Sequence, residues 1–227
     1  MSKLELESAG QYADRDFENQ SFSHQSLRDC LFRNCNFSGC NFRAADLQGT
    51  SFSHCQFNSS DAERPADFSQ ANLREALFEY CNLSLANLNG IQAYDARFDH
   101  CQMSGIDLSK ANFRLPIGDN GPAALTIDSC NLSYANLSSN YLAGCTLSGN
   151  RMTECCLDDT DLIDADLSGC DLHNLSAVRV VMTGADLRGS NLHGLDPRII
   201  DLKNVRISSD QIGLLLNTLG IIVDDTG

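Results

Sequence analysis

The chain has 227 residues, a net charge of −14 and a sequence pI near 4.5. A surface this acidic repels nucleic acid and anionic lipid and suits a partner with a basic groove, so direct binding of nucleic acid or membrane is not expected. No apolar run approaches the roughly 18 residues of a membrane span, and the N-terminal MSKLELESAG lacks the apolar core of a signal peptide. We therefore expect a cytoplasmic protein.

The dominant feature is a large apolar residue at every fifth position. These block centres run in three phases, over residues 17–57, 68–113 and 127–207. A period of five fits neither the 3.6 of a helix nor the 2 of a flat strand, so it predicts a chain that turns a corner in every block. Four such sides close a coil of twenty residues. Only three of the 36 centres lack a large apolar side chain: Ala93, Ala177 and Pro197.

The position two residues before each centre is usually small, and most cysteines lie there. Ala45, Thr50 and Ala71 are typical occupants. Because cysteine is a small and often buried residue, we predict that these thiols are free and fill space, and that they neither pair nor bind metal. Ten of the eleven cysteines occupy this small slot, and Cys156 is the exception: Cys30, Cys35, Cys40, Cys55, Cys81, Cys101, Cys130, Cys145, Cys155 and Cys170.

The blocks themselves resemble those of pentapeptide-repeat proteins. Examples are ADLQG at 45–49, ANLRE at 71–75, ANLNG at 86–90 and ADLRG at 185–189. The resemblance implies an all-β fold, a right-handed quadrilateral β-helix of about nine coils, which we assign to residues 1–207. At about 4.8 Å per coil, the usual spacing of strands, the rod is roughly 43 Å long.

Two breaks in the five-residue phase predict loops that leave and rejoin the coil at a corner. The first covers about residues 58–67 and carries Asp61, Glu63, Arg64 and Pro65. The second covers about residues 114–126 and carries Arg114, Leu115, Pro116, Ile117 and Asp119. Loops in a regular solenoid are either tolerated insertions or binding elements. We interpret both as partner-binding loops, because an apolar triplet at a loop tip is unusual unless it touches something.

The segment CLDDTDLIDADLSGCDL at 156–172 contains no Lys or Arg. Its acids form either an ordinary solvated surface or a functional acidic face. The candidate residues are Asp158, Asp159, Asp161, Asp164, Asp166 and Asp171.

The C-terminal run SSDQIGLLLNTLG changes to the period of an amphipathic helix. Ser208 or Ser209 suits its N-cap and Gly220 its end. Such a helix, in a segment 208–227, either only caps the last coil or also pairs with a second copy, because exposed apolar tails mark interfaces. The predicted homodimer contacts are Ile212, Leu215, Leu216, Leu219, Ile221 and Ile222.

Within the pentapeptide-repeat proteins, the chain resembles the Qnr family, relatives of MfpA, AlbG and McbG. The two loops, NLSYANL at 131–137 and DQIGLLLNTLGIIV at 210–223 carry this resemblance. It implies a tail-to-tail dimer that imitates DNA, binds DNA gyrase or topoisomerase IV and protects it from quinolones.

Two other functional classes compete with this one. A repeat scaffold with a non-topoisomerase partner would have the same rod. An enzyme is disfavoured, because no catalytic motif or phosphate loop occurs and the inward positions are apolar or small. We expect no cofactor and no metal, since the paired His173 and His193 offer only two ligands.

Overall fold

The computed structural model describes residues 6–58, 64–117 and 121–222. They form the predicted right-handed four-sided β-helix and a short terminal helix. Six short strands build one parallel sheet, each pairing with the next along the chain. The strands are β1 Gln11–Ala13, β2 Leu31–Arg33, β3 Ser51–Ser53, β4 Leu77–Glu79, β5 Ala96–Asp99 and β6 Leu125–Asp128.

The four faces of the rod are named after the centres of one coil. Face A contains Phe32, face B Phe37, face C Phe42 and face D Leu47; corner AB joins faces A and B, and so on around the rod. Bridges on every face join residues that lie twenty positions apart wherever no loop intervenes, as for Asn36 and Gln56. The predicted coil of twenty residues is therefore confirmed.

The block centres stack in columns along the inside of the rod. On face A, the rings of Tyr12, Phe32, Phe52, Phe78 and Phe98 lie 4.8–5.2 Å apart and nearly parallel. From Ile127 onward, aliphatic centres take over. Each fully buried side chain of this size contributes about 1.5–3 kcal/mol relative to an exposed one, so these columns are the main source of stability.

The corners are tight four-residue turns whose third residue has a positive φ. At the corner after Phe17, the N–H of Gln20 donates to the Phe17 carbonyl, and Asn19 between them has φ 59°. Asn, Asp and Gly tolerate this backbone well, and bulky side chains do so poorly. Most corners carry Asn, Asp or Gly at this position.

The small slot is more specific than the sequence suggested. The Cys40 thiol donates to the carbonyl of Phe17, the centre one coil earlier. Thr50 donates in the same way to Leu27, and Asn150 to Ile127. The slot therefore accepts a small side chain, and where that side chain is a donor, a buried carbonyl lone pair gains a partner. All eleven cysteines are free; ten are buried, and Cys156 is half-buried.

We predict that only one thiol reacts quickly in the native protein. Burial raises the pKa of Cys145 to about 11 and those of Cys40 and Cys170 to about 12, and it keeps the reagent from the sulfur atoms of all ten cysteines in the small slot. An aromatic disulfide reagent at pH 8 should modify Cys156 fast and the other ten only after denaturation. Fast modification of several thiols would contradict this burial.

Both ends of the rod are covered. At the N-terminal end the Tyr12 ring stacks on Phe32, and its hydroxyl accepts from the Glu7 N–H at 2.9 Å. At the other end a 3₁₀ turn, Ser209–Gln211, leads into α1, Ile212–Thr218. Gln211 donates to the carbonyls of Leu187 and Ser190, closing the last coil. The sequence predicted the C-terminal cap but not the N-terminal one.

Ser208 is the N-cap, and its N–H donates to the Gln211 Oε1 atom at 2.6 Å. Gly220 ends the helix with φ 76°, as predicted. The predicted single apolar stripe is wrong in part. Leu214 and Leu215 pack against the core, whereas Ile212 and Leu219 are exposed. The seven-residue helix is short enough to present apolar side chains both to the rod and away from it.

Candidate functional site

The first loop leaves the rod at corner BC. It is closed by the Ala66 N–H, which donates to the Phe57 carbonyl at 3.3 Å, and Arg64 reaches the Gly39 carbonyl. Arg64 and Pro65 are exposed. Asp67 already pairs with Asn41 and Asn87, so the loop ends at residue 66, one residue earlier than predicted. The predicted contacts Asp61 and Glu63 lie outside the described residues.

The second loop leaves at corner DA on an antiparallel stem. Arg114 bridges Ala123, and the Leu115 N–H donates to the Pro122 carbonyl at 2.9 Å. The predicted end at 126 is wrong, because Leu125 and Thr126 belong to β6. The loop proper is therefore residues 115–122, shorter than the phase break suggested.

Several contacts hold this stem in place. The Arg114 guanidinium lies 3.5 Å above the Tyr141 ring, a cation–π contact. A Cβ on Gly121 would meet the Leu115 carbonyl at 2.2 Å, so only glycine permits this approach. Leu115 is half-buried, Pro116 is exposed and Ile117 is 68% exposed. Asp119 lies outside the described residues. Leu115, Pro116 and Ile117 thus form an apolar surface on a fixed stem, which we call the apolar step.

The two loops stand on diagonally opposite corners. The first interrupts the chain between faces B and C, and the second interrupts it between faces D and A, about two coils farther along. A flat partner surface cannot touch both corners of one rod. Either the partner closes around the rod or the two loops meet different parts of it.

The acidic segment does not form one face, which corrects the sequence-based description. Asp161 lies on face D, Asp166 on face A and Asp171 on face B. Asp158 follows the face C centre Leu157. Because consecutive blocks occupy consecutive faces, acids that are close in sequence are distributed around the rod. The six residues form a belt: Asp158, Asp159, Asp161, Asp164, Asp166 and Asp171.

Part of this belt is neutralised within the chain. The Arg179 guanidinium binds both carboxylate oxygens of Asp159 and lowers the pKa of that acid. Asp158 accepts from the Ser176 hydroxyl and the Val178 N–H at 2.8 Å. For Asp171, burial opposes ionisation, but hydrogen bonds such as that from Thr153 outweigh it and lower the pKa. The belt is anionic but weaker than its sequence implies.

The terminal segment leaves an apolar surface uncovered. Ile212, Leu219 and Ile221 are exposed, Ile222 is 83% exposed, and Leu216 is half-buried. These residues lie at one end of the rod, beyond the last coil. Leu215 differs from the other predicted contacts, because it packs on the core. An uncovered apolar end of this kind fits a second copy better than water.

Neither a metal centre nor a membrane span is found in the described part of the chain. No group of three His, Cys, Asp or Glu side chains there has the arrangement of a metal site. No helix among the described residues is long and apolar enough to cross a membrane. The rings of His173 and His193 do lie one above the other, 6.0 Å apart, as predicted.

One surface feature was not predicted. His54, Tyr80 and His100 stack on the outside of corner AB. Their sequence spacings are 26 and 20, because the first loop falls between His54 and Tyr80. Counting by coils, with the loop removed, would have found the column.

A family model described as pentapeptide repeats matches residues 26–61, 66–90, 81–114, 130–169 and 165–196. The matches leave out residues 62–65, which lie within the first loop, and residues 115–129, which contain the second. No curated protein sequence matches the chain.

Three solved structures of QnrB1, described as a plasmid-mediated fluoroquinolone resistance protein, are similar over nearly the whole chain. One trypsin-treated variant shares 31% identity, covers 95% of this chain and 100% of its own, and gives a TM-score of 0.85. A second trypsin-treated variant shares 32%, covers 95% and 99%, and gives 0.78. The full-length protein shares 30%, covers 93% and 100%, and gives 0.76.

Proposed function

Because the chain belongs to the pentapeptide-repeat proteins and, among them, to the Qnr family, we propose that it binds DNA gyrase or topoisomerase IV and protects the enzyme from quinolones. The observation that carries the proposal is the end-to-end similarity to QnrB1, with a TM-score of 0.85 over 95% of this chain. The role is one of binding, without catalysis or a cofactor. It implies a cytoplasmic location, because these enzymes act on the chromosome.

The dimensions of the rod support imitation of DNA. Two rods of roughly 43 Å joined end to end span about 85 Å, the length of about 25 base pairs at 3.4 Å each. Duplex DNA of that length carries about 50 phosphates. Two chains of charge −14 carry about half as much negative charge. Charge alone would therefore give this protein a lower affinity for the topoisomerase than DNA has, and the loops must supply the remaining selectivity.

The two loops provide contacts that DNA lacks. The step formed by Leu115, Pro116 and Ile117 is apolar and stands on a rigid stem, so it loses little entropy on binding. Apolar contacts also resist salt, whereas those of the acidic belt weaken as screening shortens to about 8 Å at physiological ionic strength. We assign release of the drug-trapped enzyme to the second loop and electrostatic attraction to the belt.

The uncovered terminal side chains support a homodimer joined at the C-terminal ends. In that arrangement the belt of each copy lies in the coils near the join, so the two belts form one central acidic zone. The loops of each copy then lie farther out along the dimer.

A competition measurement tests the proposal. Labelled protein should bind gyrase, and a duplex of about 25 base pairs should displace it with an apparent affinity that falls as the duplex concentration rises. Simultaneous binding of protein and duplex at saturation would exclude imitation of DNA. Absence of any binding to gyrase or topoisomerase IV would exclude the proposed function and favour a scaffold role.

A further inference from the structure

The second loop leaves the rod where the backbone ladder between two coils is interrupted. On face D, Asn112 bridges the preceding coil and Tyr141 bridges the following one. Within the described chain, no bridge or backbone hydrogen bond joins residues 111–114 to residues 140–143. On face A the same two coils are joined by the pairing of β5 with β6. The strand that leads into the second loop therefore lies beside the next coil without ladder bonds to it.

The first loop causes no such interruption. Just before that loop, the Phe57 N–H donates to the Asn82 carbonyl at 2.8 Å. Just after it, the Phe68 N–H donates to the Asn87 carbonyl at 2.7 Å. Both ends of the first loop are thus held by ladder bonds to the next coil. The start of the second loop needs a different contact to fix its position on the rod.

Side chains make that contact. The carbon of the Arg114 guanidinium lies 3.5 Å from the centroid of the Tyr141 ring. Arg114 belongs to the stem of the second loop, where it bridges Ala123, whereas Tyr141 belongs to the next coil. A guanidinium over an aromatic face is attracted by the charge distribution of the ring and stacks on it through its plane. The pair therefore joins the stem to the coil that the ladder does not reach.

We propose that Tyr141 is a positioning residue for the second loop. Its ring holds Arg114, and the stem then carries the apolar step in one fixed direction from corner DA. Tyr141 is half-buried on face D and acts through Arg114, without contact to a partner. The consequence for a topoisomerase rests on the proposed function, in which the apolar step makes the salt-resistant contacts.

A fixed stem matters because only molecules with the loop in place are competent to bind. The apparent affinity falls by the fraction of molecules that leave this state. A preorganised loop also loses less entropy on binding. Loss of one cation–π contact at a half-buried site changes such an equilibrium roughly three- to tenfold.

Backbone dynamics test the positioning without any partner. In the wild type, the NMR order parameters of Leu115 and Ile117 should be about 0.85, as in rigid backbone, and in Tyr141→Leu they should fall to about 0.6 or below. Tyr141→Phe keeps the ring face and should match the wild type. Both variants should melt like the wild type, because Leu31 occupies the equivalent position, one residue before the centre, on face A.

Tyr134→Leu is the matched control. Tyr134 is 61% exposed at corner BC of the coil that contains Tyr141, diagonally opposite the second loop. Leu85 shows that the same corner accepts leucine, since both residues have φ 62°. This variant should leave the order parameters of the loop unchanged. In an Arg114→Gln background, Tyr141→Leu should have no further effect, because the two side chains act as a pair.

Wild-type order parameters in Tyr141→Leu, or an equal fall in Tyr141→Phe, would overturn the proposal. Supercoiling assays then connect the stem with function. Tyr141→Leu should raise the concentration needed for half-maximal protection of gyrase roughly three- to tenfold, and Tyr141→Phe should not. Unchanged protection by Tyr141→Leu would also overturn the positioning role. If the order parameters respond as predicted but the wild type does not protect gyrase or topoisomerase IV, only the proposed function fails.

Discussion

Replacing residues 115–122 with Asn-Gly should abolish protection of gyrase supercoiling from a fluoroquinolone while leaving the rod folded. Arg114 and Ala123 already form an antiparallel bridge, so a two-residue Asn-Gly turn closes the stem without strain. The replacement removes the apolar step but none of β6. Circular dichroism and melting should match the wild type, and some salt-sensitive binding to gyrase should persist.

A point variant tests the same loop without removing its backbone. Ile117→Ser should raise the concentration needed for half-maximal protection about ten- to a hundredfold, because burial of an isoleucine in an interface contributes about 1.5–3 kcal/mol. Ile199→Ser is the matched control, since Ile199 is 77% exposed at a turn far from either loop. If the variant with residues 115–122 replaced protects gyrase as well as the wild type does, the second loop is a tolerated insertion.

The double variant Leu219→Asp with Ile222→Asp should convert a dimer into a monomer. Both side chains are exposed and apolar, so carboxylates there cost nothing in the isolated chain but would be unpaired charges in an interface. Light scattering should give the mass of one 24.8 kDa chain instead of twice that value. Leu215 is left unchanged because it packs on the core, and a charge there would disturb the cap itself.

Asn217→Asp is the control for added charge, because Asn217 is exposed on the same helix and is not apolar. It should remain dimeric. A wild-type protein that is already monomeric at micromolar concentration would refute the dimer. Protection by the monomeric variant should also weaken, since half the DNA-like length is lost.

The fold could be predicted almost completely, because a five-residue period permits few structures. A centre such as Phe52 must point inward in every coil, and its neighbours at 32 and 78 must stack on it. The loop boundaries could not be read as exactly. Leu125 rejoins the sheet in β6 before the five-residue phase is visible again at Ile127, so the break in the pattern is longer than the loop.

The surface was predicted less well, because the sequence shows what lies within one coil and not what lies beside it in the next. Asp161 and Asp166 appeared to share a face, although a corner separates them. Arg179 is twenty residues from Asp159 and yet binds it directly. His54 and Tyr80 are 26 residues apart and stack only because the first loop adds six residues. Such contacts follow from the coil once its loops are known.

The central claim is tested most directly by titrating the purified protein into a gyrase supercoiling reaction that a fluoroquinolone has inhibited. We predict that supercoiling is restored as the protein concentration rises, and that the same reaction without drug is little affected over this range. The proposed function would be contradicted if a protein shown to be folded and dimeric restored neither gyrase supercoiling nor the activity of drug-inhibited topoisomerase IV at any concentration.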